Sequence, residues 1–354
     1  MEFRPDIDEV MGRTKTFYET NDINALILVD HINSIKYAGA DNKKLCDWNF
    51  PRELHAFLDS YLMWFEDYWT QRINIFDDLI PSVNPIFGYA EHSAFLGGEV
   101  TISDGTSWHH RLLNNWCDID NLTLKEDNVW LRMLLDAFSY LKERSEGKYA
   151  LKLRGANAPQ DLANTLRGND FFTDFFDYPD EIKNLLSFCV DAIQWTLSHQ
   201  HSIVGTFDGG VITGGNVWLP GNSTGHLSED ASTMCSPQIY EEFGLPYTSK
   251  LVQNYDHVYM HTHGLGRHVL PLIASIPNVD VIDIANDPKC IRSIEIYKEY
   301  ADCLKDKYVV VALNYDELKE NISFLKERKT IIRYLAEDLE DANLAIRFVR
   351  SELN

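Results

Sequence analysis

"YVVVALNYDELKENISFLKERKTIIRYLAEDLEDANLAIRFVRSEL", Tyr308 to Leu353, is the stretch on which the fold class turns. Two short runs, "YVVVAL" and "TIIRYL", are apolar on nearly every residue and rich in β-branched side chains, so each reads as a strand buried on both faces. Each is followed by about ten to fifteen residues with apolar positions three and four apart, the spacing of an amphipathic helix. Strand, helix, strand, helix is the signature of βαβ units and a parallel sheet.

The same rhythm extends back through the chain. "VDVIDI" precedes "KCIRSIEIYKEYADCL", "HVYMHTH" precedes "GRHVLPLIASI", and the Gly-rich "GGVITGGNVWL" precedes "SPQIYEEFGLPYTSKLVQNY". Earlier still, "YALKLR" precedes "DEIKNLLSFCVDAIQWTLSH". With "ALILVDHI" near the N-terminus and shorter runs around "NPIFG" and "EVTI", about eight or nine strands are expected, a number that suits a (β/α)8 barrel of the TIM type. An open doubly wound sheet is the alternative. Residues 1–76 read as an N-terminal helical extension with the first strand, and "RELHAFLDSYLMWFEDYWTQRI", Arg52 to Ile73, as a core-facing helix whose aromatics serve packing. No linker or repeat interrupts 1–354, so one domain is expected.

Composition narrows the function. The 354 residues are 45% apolar and carry a formal charge of −22. Such a field repels phosphate backbones and anionic membranes, which points away from nucleic acid and toward a small-molecule substrate. No apolar run approaches the roughly 20 residues of a membrane span. "MEFRPDIDEV" lacks the basic and apolar regions of a signal peptide, and the six cysteines are too sparse for a disulfide framework. A cytoplasmic protein is expected.

In a barrel or an open parallel sheet, chemistry belongs at the carboxyl ends of the strands. There the segment "DHVYMHTHGLGRH", Asp256 to His268, concentrates four of twelve histidines. His261 and His263, two apart on a strand, project to one side and can share an ion. Neutral imidazoles suit zinc and other borderline metals, though a catalytic zinc takes three protein ligands. Lining a pocket or capping the next helix is the other reading of the pair. "GLGRHV" looks like a dinucleotide fingerprint, but Val269 stands where its third glycine would be. Upstream, Ser236 before Pro237 reads as an N-cap with proline at the first helical position. The preceding residues then form a long loop carrying His226, Glu229, Asp230 and Cys235. Arg154, at a strand end, and Arg267, just past the Gly-x-Gly, are cations able to hold a substrate carboxylate.

Four segments, "DDLIPSVNPIFGYAEHSAFLGGEV", "LRGANAPQDLANTLRGNDFFTDFFDYPDEIKNLL", "LSEDASTMCSPQIYEEFGLPY" and "YMHTHGLGRHVLPLIASIPNVDVIDI", resemble in order the corresponding segments of the uroporphyrinogen decarboxylase-like superfamily. That superfamily includes zinc-dependent methyltransferases that move methyl groups between corrinoid proteins and thiols. The resemblance implies a (β/α)8 barrel with its site at the carboxyl end. The Arg-rich N-terminal segment of true porphyrinogen decarboxylases is missing, so the methyltransferase branch is the nearer one. That branch has His-x-Cys-Gly and a second cysteine near the last strand. Here the motif reads His261-Thr262-His263-Gly264, and "TIIRYLAED" supplies no cysteine.

The resemblance therefore implies zinc on His261 and His263, with Glu229 as third ligand, Cys235 in reserve, Asp230 as acid or base, and Arg154, His226 and Arg267 toward substrate. A corrinoid carried by a partner protein is the implied methyl donor, and a homodimer is compatible with the family pattern. Two alternatives stand beside it: a decarboxylase or lyase acting on a small carboxylated or tetrapyrrole substrate, and a non-catalytic binding subunit with the same fold.

Overall fold

The computed structural model describes residues 1–35, 43–88, 90–103 and 105–354, with only the backbone of Glu91. Helix α1 (Ile7–Glu19) leads into β1 (Ala25–Ile32), and α2 (Leu54–Gln71) follows. Next come β2 (Ser82–Val83), α3 (Val129–Ser145), β3 (Ala150–Leu151) and β4 (Ala156–Asn157). Helices α4 (Pro159–Arg167) and α5 (Pro179–Val204) precede β5 (Ser223–Ser228). Helices α6 (Pro237–Phe243) and α7 (Leu245–Val252) lead to β6 (His257–His263) and β7 (Val279–Ala285). Strand β8 (Tyr308–Leu313), strand β9 (Thr330–Ala336) and helix α8 (Leu339–Glu352) complete the chain.

Seven of these strands form one parallel sheet in the order β1-β9-β8-β7-β6-β5-β4, while β2 and β3 form a separate parallel pair. The alternation read from Tyr308 to Leu353 thus appears as β8 and β9 with helices between and after them. The first strand lies directly beside the last. Strands β7 to β9 are mostly buried, as their apolar runs require, whereas β6 keeps its three histidines half-buried. Among the described residues no helix is long and apolar enough to cross a membrane, and no disulfide is formed.

Three local expectations are corrected. "EVTI" contributes Val100–Ile102 to an antiparallel hairpin with Ser107–His109, outside the main sheet. "GGVITGGNVWL" folds back on itself, Gly210–Ile212 against Trp218–Pro220, so it is also a hairpin. The parallel strand of that region is β5, "STGHLS", which lies within the stretch read as loop. Its residues are polar because it runs beside the site. It pairs with β6 on one side and β4 on the other. A side chain at Gly155 (φ +81°) would collide with the backbone of His226, so only glycine lets the β4 segment run so close to β5. The N-cap holds as read: the Ser236 hydroxyl accepts the Ile239 N–H, 3.3 Å away.

The edge of β1 away from β9 is satisfied by side chains. Asp77 accepts the Val29 N–H at 2.7 Å and Asp78 accepts the Ile27 N–H at 3.0 Å. Arg72 donates to the Val29 carbonyl at 2.7 Å and pairs with Asp77 at 2.8 Å, both side chains fully buried. Arg4 also bonds Asp77, and Arg13 and Arg350 both bond Asp78. Removing one member of a buried pair leaves an uncompensated charge, so Asp77→Ala should lower the unfolding free energy by roughly 3–5 kcal/mol. The exposed control Asp22→Ala should stay within about 0.5 kcal/mol. Urea unfolding of the three proteins decides it; an Asp77→Ala midpoint equal to wild type would refute the edge-pairing role.

Candidate functional site

Strands β5 and β6 deliver the site. On β6 the odd residues face one side, which sets Tyr259, His261 and His263 in a row, and His226 of β5 stands next to them. Ring centroids lie 5.4 Å apart for His226 and Tyr259, 5.1 Å for His226 and His261, and 5.1 Å for His261 and His263. The loop after β5 is pinned to β6 by the Glu229 N–H donating to the His261 carbonyl at 3.1 Å.

Asp230, His261 and His263 bring one donor atom each within 4.8 Å of one another. Asp230 Oδ1 is 3.3 Å from His263 Nε2. The other ring nitrogens are already engaged. His261 Nδ1 bonds Asp283 at 2.9 Å, and His263 Nδ1 bonds Asp287 at 2.6 Å, whose second oxygen accepts the Leu265 N–H. A carboxylate on Nδ1 fixes the ring and turns Nε2 outward, the usual support behind metal-binding histidines. Two imidazoles and a carboxylate are a donor set that fits zinc or another borderline divalent ion.

Electrostatics agree with that placement. Hydrogen bonding to Asp230, opposed by burial and reinforced by Asp287, pushes the His263 imidazolium pKa up to about 9. Without a cation, His263 therefore carries a proton between two carboxylates, and a bound cation takes the place of that proton. Burial disfavours charge on Asp230, but hydrogen bonds with His263 and Ser228 hold its carboxyl below the usual range. Burial acts the same way on Asp283, and Arg333 with the His261 hydrogen bond outweighs it, keeping Asp283 ionised. His226 is driven down to about 3 by burial and by the neighbouring His261, so it stays neutral.

The group opens into a cleft of about 650 Å³. Arg154, His226, Asp230 and His261 line it from the sheet side, Asp161 from α4, and Trp108 and His109 from the hairpin. Asp161 accepts the N–H groups of Asp230 at 3.0 Å and Ala231 at 2.6 Å, fixing the turn that carries Asp230.

Of the residues singled out in the sequence, the structure brings together Asp230, His261 and His263, with His226 and Arg154 on the same cleft. It does not bring Glu229, Cys235 or Arg267 to the group. Glu229 is fully buried on the other side of the turn, where Tyr240 bonds it at 3.0 Å and Thr248 at 2.5 Å. The neighbour Asp230 occupies the position expected of it. The Cys235 thiol bonds the Ala231 carbonyl, and burial, with Glu229 nearby, pushes its pKa up to about 12. Arg267 braces its own turn through the Gly264 carbonyl and the Cys290 sulfur.

Asp161, Asp283, Asp287, Trp108 and His109 were not singled out as site residues. Asp283 and Asp287 had a signal: carboxylates at the carboxyl end of the strand after the His-x-His can reach its rings. Trp108 and His109 had none, because nothing in "SDGTSWHH" says where the hairpin lies.

No family model matches the sequence, and no curated protein does. Among solved structures, a methyltransferase from Methanosarcina mazei has a similar fold, with a TM-score of 0.62 over 97% of this chain and 98% of that chain, at 12% identity. Likeness at that identity is likeness of fold.

Glu229 supports a prediction of pH dependence. Burial, opposed by the Thr248 and Tyr240 hydrogen bonds, raises its pKa from 4.5 to about 7. The folded state thus holds this proton more tightly than the unfolded one. Its contribution is complete below pH 4.5 and is lost as pH rises through about 7. Glu229→Gln, uncharged at every pH, should not suffer that loss and should gain on wild type by up to about 3 kcal/mol between pH 5 and pH 8. Urea unfolding of both proteins at the two pH values measures the difference; parallel behaviour would mean that Glu229 titrates normally.

Proposed function

We propose that this protein is a zinc-dependent methyltransferase of the uroporphyrinogen decarboxylase-like superfamily. Its seven-stranded sheet and the β2–β3 pair would together make a (β/α)8 barrel, with the short consecutive segments β3 and β4 counted as one interrupted strand. It moves a methyl group from a corrinoid-type donor, carried by a partner protein, to a thiol or similar small acceptor. The fold shared with the Methanosarcina mazei methyltransferase supports the reaction class. The observation that carries the reading is the convergence of His261, His263 and Asp230, with both Nδ1 atoms held by Asp283 and Asp287.

His261 and His263 would hold the ion through Nε2 and Asp230 through a carboxylate oxygen. A zinc ion there supplies Lewis acidity that lowers the pKa of a thiol acceptor and makes it the stronger nucleophile. The residues of the chain do the rest. Asp161 keeps the Asp230 turn in place through two backbone N–H groups. His226, neutral and facing the cleft, can accept a hydrogen bond from the acceptor. Arg154 lines the same cleft and offers a cation to an acidic group on it. In the transfer, the S–H bond of the acceptor breaks and its proton passes to solvent, the sulfur pair forms the S–C bond, and the donor–methyl bond breaks with its pair staying on the donor.

Elemental analysis of protein purified without a metal-affinity tag should find about one zinc per chain in the wild type. His261→Ala, His263→Ala and Asp230→Ala should each lose it, and Asp283→Asn should bind it roughly 10–100-fold more weakly. Glu229→Gln should bind it as the wild type does. A wild type that takes up no metal when zinc is supplied would overturn this reading, leaving the decarboxylase and the binding subunit.

A further inference from the structure

The aromatic side chains of α2 do more than pack. Tyr61, Trp64 and Tyr68, together with Phe65 and Trp69, form one wall of a second cavity of about 230 Å³. Its other side includes Asp30, Lys152 and Asn216, from the ends of β1 and β3 and the hairpin before β5. Successive rings of Tyr61, Trp64 and Tyr68 lie 6.1 and 6.2 Å apart, with interplanar angles of only 21° and 8°. The outcome is a row of nearly parallel rings along one side of the cavity, a lining that favours an aromatic partner.

The polar side of the cavity has a definite sign. Lys152 Nζ donates to Asn216 Oδ1 at 2.6 Å, and among the described residues this amine makes no other hydrogen bond, although it has three donors. Burial disfavours the Lys152 charge and the one carboxylate lining the cavity, Asp30, favours it, while Arg333 and Arg154 add positive potential. Asp30 itself lies 3.6 Å from Arg333, so the cations outnumber the single carboxylate there. In a chain of net charge −22, this is a local concentration of cations at the end of an apolar slot. A cationic ligand is disfavoured there, and an anionic head group is favoured. The volume is below the 300–1,000 Å³ of pockets for drug-sized ligands, which leaves room for one ring and not for a tetrapyrrole.

We propose that this cavity is a binding site for a small single-ring aromatic carboxylate, its ring laid on the Tyr61–Trp64–Tyr68 wall and its carboxylate on Lys152. The site is separate from the His261, His263 and Asp230 group and does not rest on the metal reading.

Benzoate, benzylamine and cyclohexanecarboxylate are the probes, titrated by calorimetry and by tryptophan fluorescence into wild type, Lys152→Met and Trp64→Leu. Benzoate should bind the wild type saturably with a Kd no weaker than about 1 mM, and should perturb the fluorescence. Lys152→Met should weaken it at least ~10-fold, the loss of one charge-assisted hydrogen bond. Trp64→Leu should also weaken it, cyclohexanecarboxylate should bind less well, and benzylamine should not bind. Treatment with a chelator should change none of this, which separates the result from the metal centre. Absence of saturable benzoate binding, or equal binding of benzylamine, would overturn the proposal in the wild type alone, whether or not the variants fold. Undiminished benzoate binding by a folded Lys152→Met protein would overturn it equally.

Discussion

The fold depends on how the open edge of β1 is closed. A buried strand cannot leave its backbone groups unpaired, because each buried and unsatisfied N–H or C=O costs about as much as a lost hydrogen bond. On one side β9 supplies the ladder. On the other, Asp77, Asp78 and Arg72 do the work of a strand, meeting Ile27 and Val29 atom by atom. The same two carboxylates collect Arg4 and Arg13 from the N-terminal region and Arg350 from α8. Both ends of the chain are thereby tied to the first strand.

From β1 inward, the polar interior follows a continuous path. Asp30 faces Arg333 of β9, Arg333 bonds the Tyr259 hydroxyl at 3.1 Å, Tyr259 bonds Asp283 at 2.7 Å, and Asp283 holds His261. Parallel strands buried on both faces can carry such groups only where each is satisfied, since a half-paired buried network is worse than an apolar one. Each side chain of this path has at least one bonded or charge-paired neighbour, and the path reaches the imidazole through one carboxylate. The Arg333 charge also explains why Asp283 stays ionised where burial alone would neutralise it. The orientation of His261 is thus linked, through four side chains, to the strand whose edge the Asp77 and Asp78 pair closes.

Sequence made the regular part of this architecture legible and the site only partly so. Strands β7 to β9 announce themselves because burial on both faces demands apolar runs, and His261 and His263 of β6 are visible because a period of two puts them on one side. Strand β5 was hidden for the opposite reason. "STGHLS" borders the cleft, so its residues are chosen for the cavity and for close approach to β4, and its pattern is that of a loop. Likewise "EVTI" has strand composition but belongs to a hairpin over the cleft, a placement that no local pattern encodes. Asp161 could not be seen as the brace of the Asp230 turn, because the bond joins residues 69 positions apart.

Why Asp230 and not Glu229 meets the histidines is a matter of one residue of register at a strand end. At the close of β5 successive side chains still point to opposite sides, so two adjacent carboxylates cannot share one pocket. The Glu229 N–H is committed to the His261 carbonyl, which directs its side chain toward α6 and α7, and Tyr240 and Thr248 receive it there. Asp230 then falls on the cleft side, and Asp161 takes its N–H and that of Ala231, which holds the turn in that sense. The two carboxylates part electrostatically as well. Burial away from any cation drives Glu229 toward its neutral form, whereas the contact with His263 keeps Asp230 charged. A chain with two neighbouring acids thus uses one as a buried hydrogen-bond acceptor and presents the other as an anion, and only the second suits a cation held by His261 and His263.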